Sequence, residues 1–149
     1  MFEEKFMQEA IDLAAQAREN GDHPFGALLI LDGEVALTAV NTVNTDHDVT
    51  HHAEMNLVSA AARQFSAETL SKMTLYTSTE PCAMCAGGIY WAGIRKVVYG
   101  CAAETLGAMA TGSFVLPCRE VFARGDEETV VVGPVMEETA VVVHQSFWD

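Results

Sequence analysis

The 149-residue sequence predicts a single α/β domain, residues 1–149, in which helices pack on both faces of a mixed five-stranded sheet. Three observations support this three-layer α-β-α class. Segments with apolar residues at helical spacing alternate along the chain with short runs rich in β-forming residues. The pair Asp32-Gly33 joins two such runs as a two-residue hairpin turn. Half of the residues are hydrophobic, which is enough for a sizeable core.

The first predicted element is an amphipathic helix from Phe2 to Asn20, which ends at the stop signal Asn20-Gly21. Short apolar or alternating runs then predict the strands. The five predicted strands are Phe25–Leu31, Glu34–Asn41, Met73–Ser78, Lys96–Gly100 and Thr129–Val132. A polar loop is expected over residues 42–50.

Two further helices are expected to begin at unusual motifs. Thr50 is a suitable cap for a helix from about His51 to Phe65. Pro81 favours the first turn of a helix that runs to about Ala92, where Gly93 ends it. No element is predicted for residues 101–112. Short helices are predicted after Pro117 and over residues 137–148.

Composition limits the classes of partner. The net charge is −13 and the chain has eight Lys and Arg residues, whereas nucleic-acid binding relies on such residues to displace counterions. We therefore expect no nucleic-acid partner. No apolar run approaches the ~20 residues that span a bilayer. The N-terminus lacks the basic and apolar regions of a signal peptide, so we expect a cytoplasmic protein without a membrane partner.

The stretch TEPCAMC, residues 79–85, contains two cysteines with the spacing of metal ligands. A helix N-terminus lowers the pKa of a thiol, so Cys82 and Cys85 are expected to be thiolates that bind a cation. Zinc accepts thiolate and imidazole ligands together. Cys101 and Cys118 stand alone and are expected to be buried apolar residues.

The stretch THHAEMN, residues 50–56, supplies a candidate third ligand and a candidate base. His52 is preferred to its neighbour His51 because Glu54 follows His52 by two residues. The pattern H-x-E followed by P-C-x-x-C is the signature of zinc deaminases, in which the glutamate moves protons without binding the metal. We therefore predict zinc ligands His52, Cys82 and Cys85 and the catalytic residue Glu54.

Other interpretations of the two motifs stay open at this point. A Cys-x-x-Cys pair alone also fits a redox pair or half of a structural zinc site. A structural zinc would need a fourth protein ligand, for which the candidates are His23, His47, His51 and His144. The order of the motifs, each at the start of a predicted helix, favours a catalytic zinc with one position left for water.

With the segments HPFGALLI, HHAEMN and LYTSTEPCAMCAGGIYWAGIRKVVYG, the chain resembles the cytidine deaminase superfamily. Within it, the chain is similar to bacterial guanine deaminases and related nucleoside deaminases over about residues 1–110. This resemblance implies a cytidine deaminase-like fold, a Zn²⁺ ion held by His52, Cys82 and Cys85, and Glu54 as the proton shuttle. It also implies a homodimer or larger oligomer.

The resemblance implies hydrolytic deamination of a free nucleobase or small aminated heterocycle, with guanine as the first choice and ammonia as a product. Deaminases of adenosine in tRNA share nearly all of these motifs, and cytosine or a nucleoside is a further alternative. A zinc-binding protein without catalysis is the alternative from another class. After Gly107, residues 108–117 lack the acids that are expected to hold the amino edge of guanine.

The resemblance also assigns contacts with the substrate. The assigned residues are Asn41, Phe25, Ala53, Trp91 and Trp148. Asn41 would hydrogen-bond the ring or its sugar, Phe25 would stack on the base, and the Ala53 backbone N–H would donate to a ring acceptor. Trp91 would line the pocket, and the tail with Trp148 would close over it. Turn formation by Asn41 and core packing by the three aromatic residues are the structural alternatives.

Overall fold

The computed structural model describes residues 1–149 and contains the predicted five-stranded mixed sheet. Its strands are β1 Gly26–Leu31, β2 Glu34–Val40, β3 Thr74–Thr79, β4 Lys96–Cys101 and β5 Val130–Val132, in the spatial order β2-β1-β3-β4-β5. Strand β1 is antiparallel to β2 and β3, whereas β3, β4 and β5 run parallel. Each strand end lies within one residue of its predicted position.

Helices cover both faces of the sheet, so the three-layer prediction is confirmed. The helices are α1 Glu4–Glu19, α2 Val43–Asp46, α3 Ala53–Gln64, α4 Ala67–Leu70, α5 Ala83–Ala92, α6 Ala103–Met109, α7 Cys118–Phe122 and α8 Glu137–Ala140, which a 3₁₀ helix, Val141–His144, extends. Helices α1 and α8 build one hydrophobic core, and α3, α5 and α7 build the other. None of these helices has both the length and the apolar composition that crossing a membrane requires.

The close contact between α1 and β1 depends on Gly26. A Cβ atom at this position would lie 2.5 Å from the Leu13 Cβ and 2.6 Å from the Ala10 carbonyl oxygen. Gly26 has no side chain, and α1 can therefore approach β1 closely enough to bury this residue.

Several helix boundaries differ from the predicted ones. Helix α3 begins at Ala53, because His52 is extended at φ −67° and ψ 156° and forms the N-cap in place of Thr50. The predicted loop 42–50 contains α2, whose Thr45 is held by the buried carboxylate of Asp22 through its N–H at 2.8 Å and its hydroxyl at 2.6 Å. The predicted last helix stops at His144, since Gln145 is extended.

The C-terminal tail after His144 is fixed by that histidine. The indole N–H of Trp148 donates to His144 Nδ1 at 3.2 Å, and His144 Nε2 lies 2.8 Å from the Thr79 hydroxyl oxygen. An indole N–H can only donate, so Nδ1 accepts and the imidazole is the neutral tautomer with its proton on Nε2. Arg18 also donates to the carbonyls of Val143 and Gln145, which ties the tail to α1.

We predict that His144 makes stability depend on pH. Burial, followed by the charge of Arg18, lowers the pKa of His144 to about 4, whereas the unfolded chain has the usual histidine pKa near 6.5. Between these values the unfolded chain binds a proton that the folded chain does not. The free energy of unfolding should therefore fall by about 2 kcal/mol between pH 7 and pH 5 on account of this residue.

Urea unfolding at several pH values, followed for the wild type and for His144→Gln, measures this effect. The other titratable groups, including His23 and the cysteines, are common to both proteins, so the difference between the two pH profiles isolates His144. The variant should be less stable at pH 7 and lose less stability on acidification. Parallel profiles for the two proteins would contradict the prediction.

Candidate active site

The candidate site lies where the N-termini of α3 and α5 meet at one edge of the sheet. His52 is the N-cap of α3 and Cys82 is the N-cap of α5. Glu54 and Cys85 lie in the first turns of these two helices. Strand β3 leads directly into the Cys82 motif, and α3 packs against α5 on the same sheet face. The fold therefore brings together the three predicted metal ligands and the predicted base.

The three predicted ligands have a geometry that fits zinc. His52 Nδ1 lies 3.6 Å from Cys82 Sγ and 3.5 Å from Cys85 Sγ. Zn–N distances of about 2.05 Å and Zn–S distances of about 2.3 Å, with tetrahedral angles, require an N–S separation of about 3.6 Å. Of the chain's His, Cys, Asp and Glu residues, only these three cluster closely enough to hold a metal ion.

The ionisation of the cluster also suits a cation. Hydrogen bonds from the Cys85 thiol and then from His52 lower the pKa of Cys82 to about 4, although burial opposes this. The same hydrogen bond, followed by burial, raises the pKa of the Cys85 thiol. The pair of sulfurs therefore shares one proton beside an imidazole. A bound divalent cation competes with that proton, as in other thiolate sites.

Glu54 is a buried carboxyl group beside the cluster. Only 4% of the residue is exposed. Burial, followed by the negative charge of Cys82, raises the pKa of Glu54 to about 7. A group with such a pKa both accepts and donates a proton near neutral pH, which is what general acid-base catalysis requires.

The remaining histidines do not complete a structural zinc site. His51 faces away from the cluster, with Nδ1 2.8 Å from Asp46 and Nε2 3.2 Å from Asp48. His144 is bonded to Thr79 and Trp148, His47 is exposed, and His23 packs its ring against Trp148 at 5.4 Å. Because the chain offers three ligands to the metal, one coordination position is left for water or substrate.

A cavity of about 440 Å³ opens onto the cluster. His52, Glu54 and Cys82 are among the residues that line it. Most of its remaining lining is apolar and includes Phe25, Val49, Met84, Leu106, Phe114 and Trp148. A cavity of this size and character is typical of sites that bind small molecules.

Two of the five predicted substrate contacts, Phe25 and Trp148, line this cavity. Their ring centroids are 6.1 Å apart. Ala53 is buried at the first position of α3, where a backbone N–H has no partner within the helix. Asn41 is 1% exposed, its Oδ1 accepts from the Val43 N–H at 3.0 Å, and its Nδ2 has no hydrogen-bond partner. Asn41 therefore acts as a turn residue and also has one buried donor to spare.

Both predictions for Trp91, that it lines the cavity and that it packs in the core, are wrong. Trp91 is 85% exposed, so it belongs neither to the cavity nor to the core. It lies six residues beyond Cys85, which places it about 240° around the helix from the metal ligand. Its ring packs on the surface against Tyr90, with the centroids 5.6 Å apart.

Glu80 also lines the cavity, and its local sequence predicts no role for it. Both of its carboxylate oxygens accept backbone hydrogen bonds, Oε1 from Ala103 at 2.8 Å and Oε2 from Cys118 at 2.7 Å. The signal available in the sequence was an acidic residue directly before Pro81, two residues before a metal ligand. Its partners lie far along the chain and follow from the fold alone.

Residues 1–101 match the family described as the cytidine and deoxycytidylate deaminase zinc-binding region. A probable cytosine deaminase of Schizosaccharomyces pombe is 37% identical, and the match covers 97% of this chain and 91% of the relative. The guanine deaminase of Bacillus subtilis is also 37% identical, over 87% of this chain and 83% of the relative. A structure from a study of tRNA:A34 deaminases is 28% identical with a TM-score of 0.77, covering 95% of this chain and 99% of that one.

The three relatives share a reaction type, deamination, but are named for different substrates. The family match spans more than half of the chain and includes every residue of the cluster. The chain therefore belongs to the cytidine and deoxycytidylate deaminase family of zinc-dependent deaminases, and the cluster of His52, Cys82 and Cys85 is a group that could hold the zinc ion.

Proposed function

We propose that this deaminase acts on a free nucleobase or a similarly small aminated heterocycle, replaces a ring amine with a carbonyl group and releases ammonia. The observation that carries the proposal is the burial of Glu54 beside a three-ligand metal cluster, in the wall of a cavity of about 440 Å³. The mostly apolar lining suits the two faces of a flat aromatic ring.

Each residue of the cluster has a distinct task in this reaction. Zinc, when bound by His52, Cys82 and Cys85, supplies Lewis acidity that lowers the pKa of water from 15.7 to about 7. Glu54 accepts the proton of the attacking water and delivers it to the adjacent ring nitrogen. Glu54 then takes the remaining proton from the new hydroxyl group and gives it to the departing amine, so that a C=O bond forms as the C–N bond breaks and ammonia leaves. Burial of the Glu54 carboxyl group, which raises its pKa, supports both directions of transfer.

Four other residues would hold the ring in place. The unpartnered Asn41 Nδ2 and the Ala53 N–H would be the donors for a ring carbonyl or nitrogen, as the resemblance implies. Phe25 and Trp148 would contact the faces or edge of the ring from within the cavity. A buried donor without a partner costs free energy, so a substrate acceptor at Asn41 would bind with the advantage of relieving that cost.

Guanine is the first base to test, because of the resemblance described above. One observation favours cytosine as a second candidate. The cavity has two carboxylates, Glu54 and Glu80, and both oxygens of Glu80 already accept backbone N–H groups. Each oxygen of Glu80 therefore has only part of its acceptor capacity left for the amino and imidazole edges of guanine. Cytosine presents an apolar C5–C6 edge instead, which suits a wall with Leu106 and Phe114.

A tRNA substrate is the main alternative to a free base, and similarity does not decide between them because tRNA-specific adenosine deaminases also match the chain. We favour the free base because of the charge of the chain. A net charge of −13 with eight Lys and Arg residues opposes binding of a phosphate backbone.

We also propose that the protein is a cytoplasmic homodimer, as the resemblance implies. Trp91 is 85% exposed beside Tyr90 on the surface of α5, and exposed aromatic residues of this kind are enriched in interfaces. Sedimentation analysis should give twice the mass of the 16.1 kDa chain. A monomeric mass at micromolar concentration would contradict this part of the proposal.

A substrate panel tests the proposed function directly. Purified protein with zinc should release ammonia from at least one of guanine, cytosine and adenine, and should do so faster than from the matching nucleosides. An intact tRNA containing a wobble adenosine serves as the competing substrate. Turnover of the tRNA without turnover of any free base would refute the proposal in favour of RNA editing.

The role of Glu54 is tested by Glu54→Gln, which keeps the size of the side chain and removes its capacity to carry a proton. We expect kcat to fall by roughly 10²- to 10⁴-fold, because proton transfer by a positioned group is worth about that much. Zinc content should stay at one ion per chain, since Glu54 is not a ligand. Glu138→Gln, a change at an exposed acid, is the matched control. Undiminished turnover in Glu54→Gln would show that another group is the base.

A further inference from the structure

Glu80 is a buried acid with no role in the reaction described above. It lies between the end of β3 and the start of α5, two residues before the metal ligand Cys82. Only 8% of the residue is exposed, yet it lines the cavity beside the cluster. A buried carboxylate is costly unless its oxygens are hydrogen-bonded, so its partners indicate what it does.

Those partners are the two ends of one segment, residues 103–118, which we call the wall segment. Glu80 Oε1 accepts from the Ala103 N–H at 2.8 Å, where α6 begins. Glu80 Oε2 accepts from the Cys118 N–H at 2.7 Å, where α7 begins. One carboxylate thus joins the first and last residues of the wall segment. Hydrogen bonds of N–H groups to an ionised acceptor are about twice as strong as neutral ones.

The wall segment forms one side of the cavity. Leu106 of α6 and the returning residues Phe114, Val115 and Leu116 line it. Val115 packs closely on α6 at Gly107, as shown by the 2.5 Å that would separate a Cβ at Gly107 from Val115 Cγ2. Glu137 holds the start of the segment as well, through the Ala102 N–H at 2.6 Å and the Thr105 hydroxyl at 3.1 Å. The Cys118 end has Glu80 as its acceptor.

We propose that Glu80 is a positioning residue that sets the distance between the wall segment and the metal cluster, and thereby determines which ring the cavity accepts. The geometric reason is that Glu80 and Cys82 lie on the same short stretch of backbone. The bonds to Glu80 therefore fix the distance of the wall segment from the metal ligand Cys82 as well as from the sheet. This inference rests on the proposed function, since it concerns how a small ring is selected.

The test is Glu80→Gln, assayed with the best base of the substrate panel. A glutamine oxygen still accepts one N–H, but its NH₂ group faces the other N–H as a second donor, so one end of the wall segment is released. We expect KM to rise about tenfold, as the loss of one charge-assisted hydrogen bond allows, with kcat changed by less than about threefold. The preference among the bases should change as well. Zinc content should remain at one ion per chain.

Hydrogen exchange provides a readout that does not depend on activity. In Glu80→Gln the backbone amides of residues 103–118 should exchange faster than in the wild type, whereas those of β3 and α3 should not. The matched control is Glu104→Gln, which removes the same charge from an exposed position on the wall segment itself. That variant should leave KM, base preference and exchange unchanged.

A second variant keeps the inference testable if Glu80→Gln does not fold. Gly107→Ala leaves Glu80 intact and displaces Val115, so it should also raise KM and alter base preference. Unchanged KM and preference in a folded Glu80→Gln protein, with wild-type turnover normal, would overturn the role of Glu80 alone. A wild type that releases no ammonia from any base would refute the proposed function, and this inference with it.

Discussion

The structure depends on one constraint, that two helices begin within bonding distance of a single point at the sheet edge. The N-caps His52 and Cys82 leave their ligand atoms 3.6 Å apart, and Cys85 comes within 3.5 Å of the same nitrogen. Neither helix places these atoms by itself. Parallel pairing of β3 with β4 and antiparallel pairing of β3 with β1 fix where each chain segment leaves the sheet. The metal cluster is thus a product of sheet order, and the local motifs supply only the chemical groups.

The same edge contains two buried carboxyl groups whose surroundings give them different properties. Glu54 is buried next to the negative charge of Cys82, which keeps its pKa near 7. Glu80 accepts two backbone N–H groups, so its oxygens are satisfied and stay acceptors. Differences in environment of this kind divide acids between proton transfer and fixed structural or electrostatic roles. His144 follows the same logic, because burial, followed by the charge of Arg18, lowers its pKa to about 4 and leaves it neutral at pH 7.

Local sequence signals predicted much of this arrangement. Strand ends, the hairpin at Asp32-Gly33 and the three ligands follow from short-range patterns, which residues within a few positions determine. Features that depend on distant partners were not predictable. Helix α2 is anchored by Asp22, about twenty residues earlier, and the backbone N–H groups that donate to Glu80 lie 23 and 38 residues later. Trp91 was misplaced for the opposite reason, because an apolar residue on a helix was assumed to face inward, and α5 exposes it.

The attachment of the cavity wall through main-chain N–H groups has an evolutionary consequence. Every residue other than proline supplies such a group, so the amino acids between positions 103 and 118, apart from Thr105 and Gly107, can be exchanged without loosening the two bonds to Glu80. The sequence of the wall segment can therefore change during evolution while the metal ligands stay the same. For the same reason the wall segment is suited to grafting. A segment of equal length from another protein would change the substrate selectivity and leave the catalytic residues as they are.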